Sequence, residues 1–187
     1  MNDLQSLKAA ARKAAFARRK ISHAAAPPAP CARLSEILAG YRGVPVAGYM
    51  PIRTEIDPLP AMAEAAAHGP VAVPVISGAG LPLKFSRWQP GGLMRDAPFG
   101  ASVPELDDFL DPEIVIVPLV AFDPNGGRLG YGGGFYDRTL QLLRAQRATL
   151  AIGFAYDGQM AQDLPLEPTD QPLDLIVTET RVLTPGG

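Results

Sequence analysis

The sequence predicts an α/β fold, a three-layer open and mainly parallel sheet with helices on both faces, Rossmann-like in outline. Three observations carry this. V-P-V-A-G-Y-M (44–50), P-L-P-A-M-A-E-A-A-A-H (58–68) and V-A-V-P-V-I (71–76) read as strand, helix and strand. A βαβ unit of that length implies parallel strands joined by a right-handed crossover. The run E-I-V-I-V-P-L-V-A-F (113–122) is apolar on both faces, as a central parallel strand must be. Two further apolar runs, T-L-A-I-G-F-A (149–155) and L-D-L-I-V-T-E (173–179), extend the sheet.

The chain has 187 residues, 47% of them hydrophobic and 19% charged, which suits one packed domain spanning 1–187 and excludes wholesale disorder. Cys31 is the only cysteine, so a disulfide framework and a thiolate metal cluster are excluded. No stretch approaches the ~20 apolar residues of a bilayer span, and no charged start precedes an apolar leader. A cytoplasmic protein is expected, with no membrane partner.

Charge is unevenly placed. Residues 1–23 hold six basic side chains (Lys8, Arg12, Lys13, Arg18, Arg19, Lys20) and one acid, Asp3, while the whole chain is at −2. A helix is predicted at about 4–20. Leu4, Leu7, Ala11, Ala14 and Ile21 fall on one apolar arc, and Lys8, Arg12 and Arg19 form a stripe beside it. Arg18 projects into the arc, where a guanidinium needs a partner. The arm reads as a solvated face, a presequence, a nucleic-acid tail or an anion-binding element, and the acidic remainder argues against nucleic acid.

An Ala/Pro linker (24–30) and a short amphipathic helix through Leu34, Ile37 and Leu38 follow, then the βαβ unit. Residues 81–90 read as an edge strand or hairpin, and 91–111 as loop-rich. A helix is predicted from Phe135 to Arg147.

Between the central strand and that helix lies D-P-N-G-G-R-L-G-Y-G-G-G-F-Y-D-R (123–138). Glycines at 130, 132, 133 and 134 let a ligand approach the backbone and permit the positive φ that turns successive N–H groups toward one point. Such a nest feeding a helix N-terminus favours an anion, and Arg128 adds a cation. Neither the G-x-G-x-x-G fingerprint nor a G-K-[ST] loop is present. From the residues alone the segment is a phosphate or carboxylate cradle, or a turn whose glycines serve packing. Asp137 is either a dipole-complementing residue of the first helical turn or a Mg2+ ligand. Asp170, in L-P-L-E-P-T-D-Q-P, is a turn residue or a second metal oxygen.

The run V-P-L-V-A-F-D-P-N-G-G-R-L-G-Y-G-G-G-F-Y-D-R (117–138) resembles the signature of the 5-formyltetrahydrofolate cyclo-ligase family, also called methenyltetrahydrofolate synthetases. K-A-A-A-R (8–12), A-R-R (17–19), Y-M-P-I-R-T-E-I-D (49–57), F-G-A-S-V-P (99–104), E-P-T-D (167–170) and L-D-L-I-V-T-E (173–179) fall in the family's order, so the resemblance covers nearly the whole chain.

The resemblance implies an ATP- and Mg2+-dependent ligase of one-carbon metabolism. It would cyclise 5-formyltetrahydrofolate to 5,10-methenyltetrahydrofolate with release of ADP and phosphate, by phosphorylating the formyl oxygen before attack by N10. Lys8 and Arg12 would reach the ATP phosphates. Arg128, Leu129, Gly130, Tyr131, Gly132, Gly133, Gly134, Phe135 and Tyr136 would wrap the nucleotide, with Tyr131 to Phe135 also touching folate. Met50 and Glu55 would contact folate, Asp137 and Asp170 would hold Mg2+, and Arg128 with Asp137 would be catalytic. A small-molecule substrate, polyglutamylated or not, and a monomeric enzyme are expected. Replacing Asp137 by Ala is expected to cost turnover with folding retained. Thr169, Val103 and Phe135 depart from the common pattern, where the family often has His, a polar residue and Tyr. Trp88 and Phe99 are candidates for packing or for stacking on a pterin.

Overall fold

The computed structural model describes residues 3–186. In chain order the elements are α1 (Asp3–Ala24), α2 (Ala32–Ala39), β1 (Val46–Ala47), α3 (Leu59–Ala66), β2 (Val71–Val75), β3 (Lys84–Trp88), β4 (Met94–Asp96), β5 (Ser102–Pro104), β6 (Ile114–Pro118), β7 (Ala121–Phe122), β8 (Arg128–Leu129), α4 (Phe135–Gln146), β9 (Leu150–Phe154), β10 (Leu175–Val177) and β11 (Val182–Leu183). Seven strands form one sheet in the order β11-β10-β9-β6-β1-β2-β3. The inner pairs are parallel and the edge pairs, β10 with β11 and β2 with β3, are antiparallel.

The period-two alternation of the strands splits the core into two layers. Val46, Ile114, Ile116, Ile152 and Phe154 point to the face covered by Leu34 and Leu38 of α2 and Ala61 of α3. Ala47, Val115, Val117 and Ala151 point to the opposite face, against Leu140 and Leu143 of α4. The expected three-layer, mainly parallel architecture is therefore present.

Three local expectations are corrected. The first strand pairs over two residues only, and the chain leaves the sheet after Gly48, whose N–H still donates to Ala72 O at 2.9 Å. The run 113–122 is not one strand. At Pro118, which has no N–H to give the ladder, the chain turns away, and Val120 N–H donates to Leu129 O at 2.8 Å to open the separate β7–β8 hairpin. The hairpin is anchored by buried Gln159, whose amide donates to Leu119 O and Val120 O. Residues 91–111 contain the β4–β5 hairpin, which the turn-rich composition concealed.

A fourth correction concerns α1. It runs on to Ala24, through the start of the expected linker. Its apolar arc is not the inward face: Leu7 and Ile21 are exposed. The buried ridge is Lys8, Ala15 and Arg19, with Ala11 and Phe16 packed beside Val120, Ala121 and Leu129. Arg18 lies at the surface and donates to Gly158 O at 3.0 Å. The basic side of the helix faces the protein because polar partners await it there.

Candidate functional site

A cavity of about 590 Å³ opens at the carboxyl ends of β1, β2 and β6, bounded by α1, the glycine loop and the β4–β5 hairpin. Ligands of parallel α/β sheets bind at this edge. The residues expected to bind nucleotide, folate or metal all border it: Lys8, Arg12, Met50, Glu55, Arg128 through Tyr136, Asp137 and Asp170. Thr169, Val103 and Phe99 border it too. Trp88 does not, packing instead near Met62, Val71 and Val73.

One end of the cavity is cationic, and each cation there is already engaged. Lys8 Nζ donates to Glu167 Oε2 at 2.5 Å and Asp170 Oδ2 at 3.2 Å. Burial pulls the Lys8 ammonium down, but these two carboxylates outweigh it and its pKa is raised. Asp170 Oδ2 also accepts from Glu167 N–H at 2.8 Å, closing the E-P-T-D turn. Arg12 Nε donates to Gly130 O at 2.8 Å, and its guanidinium lies over Gly132. Gly132 has φ 104 and Gly134, at the start of α4, has φ 66, so the loop backbone occupies conformations that side chains strain. Arg138 Nη2 holds Gly133 O at 2.7 Å.

Arg128, on β8, is almost wholly buried and donates to Asp137 Oδ1 at 2.5 Å. Burial lowers its pKa, opposed by the charges of Asp137 and Asp170. Arg128 Nε and the buried Tyr136 hydroxyl find no hydrogen-bond partner among the described residues, although both residues border the cavity. Burial raises the Tyr136 pKa far above the usual phenol value, so the hydroxyl stays a neutral donor.

Asp137 and Asp170 are brought together from 33 residues apart: Gln171 N–H, one peptide beyond Asp170, donates to Asp137 Oδ1 at 2.8 Å. Asp137 Oδ2 and Asp170 Oδ1 make no hydrogen bond among the described residues. No trio of His, Cys, Asp or Glu gathers there among the described residues. Two free carboxylate oxygens beside a cationic loop fit Mg2+, which commonly takes one or two protein carboxylates and completes its shell with water and phosphate.

At the other end, which Met50 also lines, Glu55 is buried. Ile52 N–H donates to its Oε2 at 2.9 Å and the Tyr131 hydroxyl to its Oε1 at 2.9 Å. Burial raises the Glu55 pKa, opposed by those two bonds and by the charges of Arg19 and Arg53. The sequence reading missed Glu167 and Arg138 as polar parts of the cavity wall. For Glu167 a signal existed, since E-P-T-D places its carboxylate one turn from Asp170.

Fold and cavity together define an α/β protein with a glycine-walled, cation-lined ligand site at the carboxyl edge of its sheet. A model of the 5-formyltetrahydrofolate cyclo-ligase family matches residues 5–179, and the chain belongs to that family. A 5-formyltetrahydrofolate cyclo-ligase of Mycolicibacterium smegmatis is 34% identical over 153 residues, covering 76% of this chain and 74% of the relative. One from Escherichia coli is 50% identical over 70 residues, 37% of this chain. The matched regions span only 38% of that relative and 54% of one from Haemophilus influenzae. The NMR structure of Aquifex aeolicus 5,10-methenyltetrahydrofolate synthetase superposes with a TM-score of 0.73 at 29% identity, covering 97% of this chain and 94% of that one. A Mycoplasma pneumoniae synthetase shares the fold at a TM-score of 0.65 and 23% identity, covering 92% and 98%.

Proposed function

We propose that this chain is an ATP- and Mg2+-dependent enzyme, a single domain that closes the ring of 5-formyltetrahydrofolate to give 5,10-methenyltetrahydrofolate. The observation that carries the reading is one cavity with two chemically distinct ends. Lys8, Arg12, Arg128 and the glycine loop line a polyanion-sized end, and Met50 and Glu55 line an end suited to a flat heterocycle with N–H donors. The names of the relatives supply the reaction class.

The N5-formyl group is an amide whose oxygen is a poor leaving group. In the proposed sequence that oxygen attacks the γ-phosphorus of ATP, and the bond to the bridging oxygen breaks to release ADP. The N10 lone pair then adds to the formyl carbon, the C–O bond breaks to expel phosphate, and the N10 proton leaves to solvent. What remains is the N5=C–N10 amidinium of the methenyl product. Phosphoryl transfer depends mainly on alignment and charge compensation. Arg128 and Lys8 suit the phosphate charge, the loop N–H groups orient the chain of phosphates, and Glu55 accepts from the pterin. Asp137 and Asp170 would hold Mg2+, which when bound offsets charge on the phosphate oxygens.

Among the described residues no helix is long and apolar enough to cross a membrane. The same reading takes the protein as a cytoplasmic monomer acting on a free folate, polyglutamylated or not. Purified protein mixed with Mg·ATP and 5-formyltetrahydrofolate should develop the near-ultraviolet absorbance of the methenyl product, with one phosphate released per turnover. No absorbance change at high enzyme concentration rejects the proposal.

A further inference from the structure

The ridge of α1 that carries Lys8 and Arg12 to the cavity continues to Arg19, seven residues beyond Arg12. Arg19 is 1% exposed and is not part of the cavity wall. A guanidinium taken that far from water needs partners. Its Nε donates to Thr54 Oγ1 at 3.0 Å and its Nη1 to the Tyr131 hydroxyl at 2.7 Å. Its planar head lies 5.1 Å from the Phe16 ring and 5.6 Å from the Tyr131 ring. Having accepted from Arg19, the Tyr131 hydroxyl spends its one proton on Glu55 Oε1. Arg19 forms no direct ion pair with Glu55: among the described residues the tyrosine stands between cation and carboxylate.

This chain of bonds has a direction. Arg19 is donor-only, so the Tyr131 oxygen must accept on that side and its single proton is left for the other. A donor is what an ionised Glu55 requires, and a fixed donor on Oε1 with Ile52 N–H on Oε2 sets the plane of the carboxylate. Thr54, the neighbour of Glu55, is held by the same guanidinium.

We propose that Arg19 is a positioning residue for the folate end of the site, acting through Tyr131 and Thr54 to hold Glu55 as an oriented, charged acceptor. One helix then serves both substrates, with Lys8 and Arg12 toward the nucleotide and Arg19 toward the carboxylate that meets the heterocycle. The inference rests on the folate role proposed above for Glu55.

The test measures binding of 5-formyltetrahydrofolate and of ADP separately, by calorimetry, in the wild type, Arg19→Leu, Arg19→Lys, Tyr131→Phe and the Leu/Phe double variant. Arg19→Leu should weaken folate binding about tenfold, the scale of one charge-assisted hydrogen bond, and leave ADP binding within about twofold. Arg19→Lys should recover part of the loss. The double variant should be no weaker than the worse single one, because both cut the same chain. An unchanged folate Kd in folded Arg19→Leu overturns the inference, and so do additive losses or equal losses for both ligands. Should Arg19→Leu fail to fold, Tyr131→Phe and Arg19→Lys carry the measurement, and wild-type folate affinity in both overturns it. A wild-type protein that binds no 5-formyltetrahydrofolate overturns instead the reading of the site on which the inference stands.

Discussion

Lys8 Nζ sits 2.5 Å from Glu167 Oε2, tying the first helix to an acidic turn 159 residues later. In this state a cation proposed for ATP phosphates is neutralised by a carboxylate that is itself more than one-third exposed. Phosphate must therefore compete with Glu167 for Lys8. Glu167→Gln removes the competitor while Asp170 keeps the ammonium in place. Half-exposed pairs are worth up to about 1 kcal/mol, so ADP should bind about two- to fivefold more tightly to that variant. Lys8→Met should raise the KM for ATP more than that for folate. Equilibrium dialysis with ADP and steady-state kinetics with each substrate varied check both outcomes.

Asp137 has two duties that are separable by substitution. It balances the buried Arg128 guanidinium, and it presents a free oxygen beside Asp170. This geometry predicts that Asp137→Ala also costs folding stability, since removing one partner of a buried pair costs about 3–5 kcal/mol. Asp137→Ala should lower Tm markedly. Asp137→Asn keeps a carbonyl acceptor for Arg128 and should fold with a smaller loss. Its turnover should still fall by about 10²-fold through the weakened metal set. Thermal melts and phosphate release, read together, check this; an active Asp137→Asn removes the metal duty.

How much of this was legible beforehand differs between core and site. The parallel sheet was readable because Ile114, Val115, Ile116 and Val117 are apolar on both faces and Val71–Val75 repeats that pattern. The break at Pro118 was not, because the following L-V-A-F is just as apolar; only the hydrogen bond from Val120 to Leu129 shows that it pairs elsewhere. The α1 ridge misled in a more instructive way. Hydrophobic periodicity groups Leu4, Leu7, Ala11, Ala14 and Ile21 on one arc, yet Leu7 and Ile21 are exposed, whereas Arg19, Lys8 and Arg12 turn inward toward Tyr131, Glu167 and Gly130. No local pattern predicts that, since each partner lies at least 112 residues away.

Glu55 gives a pH prediction. Its buried carboxyl has a pKa raised from the ordinary 4.5. A carboxyl raised in the folded state binds its proton more tightly there than in the unfolded chain. The protein therefore holds its full stability below the unfolded value and loses some as pH rises through the folded value. Glu55→Gln removes that loss. The difference in Tm between Glu55→Gln and wild type should move in the variant's favour from pH 4 to pH 8, while its folate affinity drops. A Tm difference that is flat with pH would show that burial does not govern this carboxyl.

Gly132 joins backbone strain to the nucleotide end. Its φ of 104 lies where side chains rarely go, and a Cβ built there would stand 3.4 Å from the Arg12 guanidinium. Gly132→Ala therefore carries a backbone cost of about 1–2 kcal/mol, which the loop can relieve only by rotating toward negative φ. Rotation redirects the loop N–H groups proposed to hold the phosphates and pushes against the arginine that grips Gly130 O. The KM for ATP should rise about tenfold with a modest fall in Tm. Gly40→Ala, at the end of α2 with φ −76 and a carbonyl at 3.4 Å, should leave ATP kinetics unchanged. If both alanines behave alike, the glycines at 130–134 serve the packing of α4, and the phosphates of the nucleotide are held by side chains alone.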